Sequence, residues 1–389
     1  MPGIFDTKFF NAEVFGKYLE TVPRYKQNAF LTSGVLRTRT DLRSMLADQT
    51  GGNFISIPMV GRIGGNPVNY DGSTNITATS IGTFMQSMIV VGRAKAWTEK
   101  DFAYDITGGH DFMADIASQV SEYWDDVDQG IILSVLKGIF GVSTNNFNTD
   151  HTLDISGESS TAAYVGATTL NNALQKAVGA NKNLFGMSIM NSQLQTNLEN
   201  LNLLEFVKQV DANGMERSTD MRTWNGRTVL VDDEGTTLHG YVATTSGATG
   251  ALKVVSSGAS TNQINLADVT ASDFYPNGVA ANDYVLPQTR YVTYLLGRGA
   301  IDYCDCGVKT PNEVDRDPAT NGGMDTLYTR QRKLFAPHGF SFVQDSPAIV
   351  SPTNAQLETA ARWTPVVDTA GTGYYESKAI PIARIISLG

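Results

Sequence analysis

The sequence predicts a mixed α+β protein in which long strands and one very long helix are joined by segments too polar to pack on their own. Three observations carry that prediction. Residues 54–60 (Phe-Ile-Ser-Ile-Pro-Met-Val) alternate at period two, and 83–97 reads as a second long strand. Phe112, Ile116, Val120, Tyr123, Trp124, Val127, Ile131 and Val135 recur at spacings of three and four, which is the apolar stripe of a helix buried along one face. The chain then closes in β-type runs.

Residues 1–48 mix the rings of Phe5, Phe9, Phe10, Phe15, Tyr18 and Tyr25 with Arg24, Lys26, Arg37, Arg39 and Arg43. So short a segment cannot bury that many rings in a core of its own, so it is expected to lie as an arm on the rest of the chain and on a neighbouring chain. The two strands that follow predict a hairpin whose tip, 61–80, is rich in Gly, Asn, Ser and Thr. The tip holds Arg62, Asn69 and Tyr70 and the turn formers Asn66-Pro67 and Asp71-Gly72. A two-stranded projection is only marginally stable alone, so a partner chain is expected to hold it.

The long helix is expected to start near a cap at 107–110, with Asp111 and Asp115 in its first turn and Lys137, Gly138 and Gly141 at its end. About 30 residues at 1.5 Å each give roughly 45 Å, a strut and not a common domain helix. Residues 142–166 read as a loop, 168–180 as a shorter helix, 185–190 as a strand, 191–210 as a helix and 224–232 as a strand. Residues 235–283 read as a loop-rich insertion with short strands. Strands are expected at 291–297, 300–303, 335–342 (with Gly339 inside) and 380–388, an acidic loop at 311–317 and a short helix at 354–362.

With 389 residues, 41% hydrophobic and 17% charged, the chain can build a sizeable core. Its net charge of -10 disfavours an extended nucleic-acid surface, which needs clustered Lys and Arg. The N-terminus lacks a basic and an apolar signal region, so a cytosolic product is expected. The most apolar stretch, 130–140, is about half the roughly 20 residues a membrane span needs, so no membrane is expected. The two cysteines, Cys304 and Cys306, cannot build a disulfide scaffold and supply at most half a metal site. His110, His151, His239 and His338 each stand alone, and phosphate-loop, paired-histidine and nucleophile-elbow motifs are missing. The acidic runs 232–234 and 313–317 do not match calcium-loop spacing. No catalytic, cofactor or metal residues are assigned.

Arm, projecting hairpin, strut helix, α/β body with an insertion and a returning tail, in that order, resemble the tailed-bacteriophage major capsid proteins of the Hong Kong ninety-seven type. Segments similar to phage coat proteins are 93–97 (Arg-Ala-Lys-Ala-Trp), 294–301 (Tyr-Leu-Leu-Gly-Arg-Gly-Ala-Ile), 330–340 and 351–363. The resemblance spans essentially the whole chain. It implies an N-terminal arm over 1–48, an E-loop over 49–98, a peripheral domain with the spine helix over 99–190, an axial domain with the insertion over 191–334, and a return to the peripheral domain over 335–389.

The resemblance further implies pentamers and hexamers closing into an icosahedral shell around double-stranded DNA, without sequence-specific binding and without catalysis. Arg62, Asn66, Asn69 and Tyr70 would then touch a neighbouring subunit from the E-loop tip, and Phe5, Phe9, Phe10 and Arg24 from the arm. Because the arm begins near Met1, a separate scaffolding protein and no large N-terminal processing are expected, with a portal and a decoration protein as further partners. Three rivals stay open. An encapsulin-like compartment would share the fold, a cysteine hydrolase would use Cys304 or Cys306 with His338, and a tail-tube or adhesin subunit would leave the strut unexplained.

Overall fold

The computed structural model describes residues 30, 33–48, 52–61, 66–76, 82–101, 112–158, 160–210, 216–344, 349–368 and 373–389. Along the chain these form β1 (Leu36–Thr38), α1 (Asp41–Asp48), β2 (Phe54–Val60), β3 (Thr83–Lys100), α2 (Phe112–Phe140), α3 (Phe147–His151) and β4 (Thr152–Asp154). Then come α4 (Thr169–Val178), β5 (Phe185–Met190), α5 (Ser192–Asn200), β6 (Leu204–Val210), β7 (Glu216–Trp224), β8 (Arg227–Val231), β9 (Thr237–Thr244), β10 (Leu252–Val255), β11 (Gln263–Asn265) and α6 (Leu266–Thr270). The chain ends with β12 (Tyr284–Gly297), β13 (Ile301–Asp305), β14 (Asn312–Asp317), β15 (Met324–Pro337), β16 (Phe340–Phe342), α7 (Asn354–Glu358), β17 (Trp363–Pro365) and β18 (Ile382–Ser387).

Unit one comprises Met1–Asn148 and Arg298–Ile380. Its main sheet runs β1-β13-β15-β3-β2, with β14 also on β15. The backbone of this sheet is the antiparallel pair β3 and β15, in register from Met324↔Lys100 to Leu334↔Val90. Helix α2 lies on it: Val120 and Trp124 pack with Leu327, Trp97 and Val314. Farther along the helix, Asp128 is buried and takes an ion pair from Lys333 and a 3.1 Å hydrogen bond from Gln331 Nε2. Ion pair and hydrogen bond satisfy a charge that would otherwise be costly to bury.

The last turns of α2 meet the C-terminal segment. Thr353 and Gln356 form a capping box that starts α7, and Trp363 Nε1 donates to the Leu357 carbonyl at 2.7 Å. A Cβ on Gly138 would overlap that same carbonyl and the Trp363 indole. The helix ends at Phe140, just before Gly141, as the sequence predicts, and Gly138 in its last turn is a contact point as well.

Unit two comprises Thr149–Gly297 and Pro381–Gly389. Its sheet runs β11-β10-β12-β5-β8-β7-β6, with β18 and β9 also on β12 and β4 on β18. Leu170, Leu174, Leu194 and Leu198 from the two helices join Phe185, Trp224, Leu295 and Ile385 in one core. β18 pairs antiparallel with β12 from Tyr291↔Ser387 to Leu296↔Ile382 and parallel with β4.

The strands at 54–60 and 185–190 and the long helix form as the sequence predicts. Residues 191–210 do not form one helix. Asn202 adopts a positive φ of 54° after α5, and the chain leaves as β6, paired with β7 from Leu204↔Trp224. Leucines spaced for a helix were outweighed by strand pairing and by a residue suited to the left-handed turn. Likewise all of the expected loop 311–317 but Pro311 is strand, because β14 finds a partner in β15. Gly339 (φ +84°) turns the chain between β15 and β16 and does not sit inside a strand. The expected loop 142–166 contains α3 and β4. No helix among the described residues is long and apolar enough to cross a membrane.

Candidate assembly surfaces

The hairpin of β2 and β3 is in antiparallel register from Phe54↔Ile89 to Val60↔Thr83, and Gly61 N extends it by donating to the Gly82 carbonyl at 2.9 Å. β3 has 18 residues, roughly 60 Å at about 3.3 Å each. Its two ends differ in environment. Near the base, Ile55, Met88, Ile89, Val90 and Val91 are buried. Gln86 Nε2, also buried, donates to the carbonyls of Pro337 (2.9 Å) and Phe340 (3.0 Å), and Phe84 packs edge-on to Tyr375 at 5.6 Å.

Several described apolar side chains of the hairpin are nevertheless exposed. Val60 is 69% exposed, Ile76 76% and Tyr70 94%, with Met85 and Val68 also exposed. These side chains give the segment an exposed apolar character. Of the tip residues the sequence singles out, Asn66, Asn69 and Tyr70 are exposed, while Arg62 lies outside the described residues. So do Phe5, Phe9, Phe10 and Arg24 of the arm, and the expected helix cap at 107–110.

The polar tip has internal order of its own. Asp71 accepts from Ser73 N (2.9 Å), Thr74 N (2.7 Å), Thr74 Oγ1 (2.8 Å) and Ser73 Oγ (3.0 Å), beside Gly72 at φ +74°. These bonds, the Ser73 amide first, hold the Asp71 carboxyl far below its usual range. Asn69 Nδ2 adds a longer 3.4 Å contact to Asp71. The Asx turn thus presents Tyr70 on a fixed loop. Val60, Ile76 and Met85 were not singled out from sequence. The period-two pattern of 54–60 and 83–97 carries the signal, but alternation does not say where along a hairpin the body stops.

Several of the side chains weighed for chemistry have structural surroundings. Cys304 is buried among Leu42, Met88, Val90 and Leu334, and burial raises its thiol pKa. Burial also pushes Cys306 up to about 12. A hydrolytic cysteine needs the opposite shift. Asp232 accepts from the Glu234 and Gly235 amides, Asp233 from Ser192 N at the start of α5, and Arg330 pairs with Glu313 at 3.0 Å. Among the described residues no group of three or more His, Cys, Asp and Glu side chains could hold a metal ion.

No protein-family model matches the chain. Among solved structures it is similar to the capsid of Ralstonia phage GP4 (10% identity, 92% of this chain and 88% of that one, TM-score 0.49). It is also similar to the Cyanophage Pam1 capsid asymmetric unit (12% identity, 94% of each chain, TM-score 0.47). At the level of sequence it is similar to the major capsid protein of Bacillus phage SPP1, with 24% identity over 356 residues, 92% of this chain and 92% of that protein. Along nearly its whole length the chain is thus similar in sequence to a phage major capsid protein.

Proposed function

We propose that this chain is a major capsid protein of a tailed phage, and that it closes as pentamers and hexamers into the icosahedral head that encloses the double-stranded DNA genome. The observation that carries the reading is the hairpin, docked at its base while Val60, Val68, Tyr70, Ile76 and Met85 stand exposed. Such a ribbon is marginal alone and is completed when it lies across a neighbouring copy. The whole-length similarity to a phage major capsid protein supports the same reading.

In this reading 49–98 is the E-loop, α2 the spine helix within a peripheral segment 99–190, 191–334 the axial segment, and 335–389 the return, with 1–48 as the arm. The tip contacts would come from Arg62, Asn66, Asn69 and Tyr70, and the arm contacts from Phe5, Phe9, Phe10 and Arg24. The protein acts by assembly and not by catalysis, resides in the virion, and works with a separate scaffolding protein, a portal and a decoration protein. Its net charge of -10 suits a wall that encloses DNA without reading its sequence.

The test is negative-stain microscopy of the purified chain, alone and with the scaffolding product of its neighbouring gene. Closed shells, or pentamers and hexamers, are the expected result. A chain that stays monomeric under both conditions overturns the proposal.

A further inference from the structure

Three cations share one concavity of unit one. The cavity, about 350 Å³, is lined by Arg43, Leu46, Cys306, Lys309 and Arg332, together with the turn after β13. Arg43 projects from α1 over Gly307, where a Cβ would stand 3.0 Å from Nη2 and 3.4 Å from Cζ, so the glycine leaves the guanidinium its room. Gly307 has φ +70°, and the turn is pinned by Cys306 N donating to the Arg332 carbonyl (3.0 Å) and Gly307 N to Asp305 Oδ1 (2.9 Å). Arg332 enters from β15 and uses Nη2 on Asn53 Oδ1 at 2.5 Å.

Among the described residues none of the three cations has a carboxylate partner within 4.0 Å, whereas Arg37, Arg39, Arg316 and Arg330 all do. The acids nearby are engaged: Asp41 by Arg39, and Asp305 by the Gly307 amide. Cys306 adds no negative charge to the wall, since burial keeps its thiol protonated. Three cations line one hollow and, among the described residues, none is paired with a carboxylate, a lining that favours an added anion. Arginine forks suit the oxygens of a tetrahedral oxyanion, and a lysine adds a point charge. A phosphate, with about -1.5 to -2 charge and several acceptor oxygens, matches three cations better than a single carboxylate does.

We propose that this hollow is a phosphate-binding site in which Arg43, Lys309 and Arg332 hold the oxyanion. The site stands independently of the capsid reading, and its phosphate can come from free phosphate or from a nucleic-acid backbone.

The test titrates inorganic phosphate into the full-length protein at constant ionic strength set with sodium chloride, read by calorimetry and by the unfolding temperature. Expected is saturable binding that Arg43→Gln combined with Lys309→Gln weakens by about tenfold or more, while Lys253→Gln on β10 leaves it unchanged. Arg332→Lys, which keeps the charge and loses the fork, should weaken binding less than Arg332→Gln, and circular dichroism without phosphate checks that each variant is folded. A short DNA duplex in a second arm separates the sources: loss of duplex binding in the same variants assigns a backbone phosphate, and phosphate binding without duplex binding assigns the free ion. The proposal is overturned by a phosphate response no larger than that of chloride, or by equal affinity in the wild type and the double variant.

Discussion

Gly138 sits inside α2 because the carbonyl of Leu357 and the indole of Trp363 occupy the space a side chain would need. Gly138→Ala should therefore destabilise the protein by about 1–3 kcal/mol despite the better helix propensity of alanine, read as a lower urea midpoint at an unchanged slope. An unchanged or raised midpoint would mean that the contact does not exist. His338 makes a second residue-scale prediction. Its Nε2 meets the Tyr375 hydroxyl at 3.2 Å, its Nδ1 is buried with no hydrogen-bond partner, and burial lowers its pKa below the usual imidazole value of about 6.5. The unfolded chain thus takes up a proton first as pH falls. The His338 contribution is full above about pH 6.5 and is lost as pH falls toward the depressed folded value. Unfolding free energy measured from neutral to mildly acidic pH should fall more steeply for the wild type than for His338→Gln; parallel curves would contradict this.

At the scale of elements the hairpin separates stability from assembly. Ile55 and Met88 are buried at its base, so truncating either to alanine should cost about 2–5 kcal/mol. Val60, Ile76 and Met85 are exposed, so replacing all three by serine should leave the unfolding free energy within about 0.5 kcal/mol per site. Light scattering during assembly should nevertheless show the triple variant failing to form shells. Normal shells from that variant would remove the exposed ribbon from the assembly interface. Strand pairing also explains where helical periodicity misled. The leucines of 191–210 suit a helix, but β7 offers the hydrogen bonds of a full strand, and Asn202 accommodates the left-handed turn that redirects the chain.

For the whole molecule, the last strand completes a sheet begun more than 200 residues earlier: β18 pairs with β4 and with the far half of β12. Ile382, Ile385 and Ile386 are buried there. At about 1.5–3 kcal/mol each, the three contribute on the order of 5–9 kcal/mol, comparable to the entire stability of an ordinary domain. Deleting 382–389 should therefore unfold unit two, seen as lost sheet signal in circular dichroism and rapid proteolysis of 149–297; a protease-resistant truncated unit would refute this. Sequence by itself determined the elements whose signal is local. The alternation of 54–60, the three-and-four spacing of α2 and the order of parts that resembles a capsid subunit were all legible, because a strand's or helix's buried face writes its own period into the chain. Tertiary structure alone decided what depends on distant neighbours: that Gly138 is a contact point for Leu357 and Trp363, that 312–317 becomes a strand on β15, that Val60, Ile76 and Met85 stand exposed, and that Arg43, Lys309 and Arg332 line one hollow. These residues lie up to nearly 300 positions apart, and no periodicity reports which surfaces the folded backbone brings together.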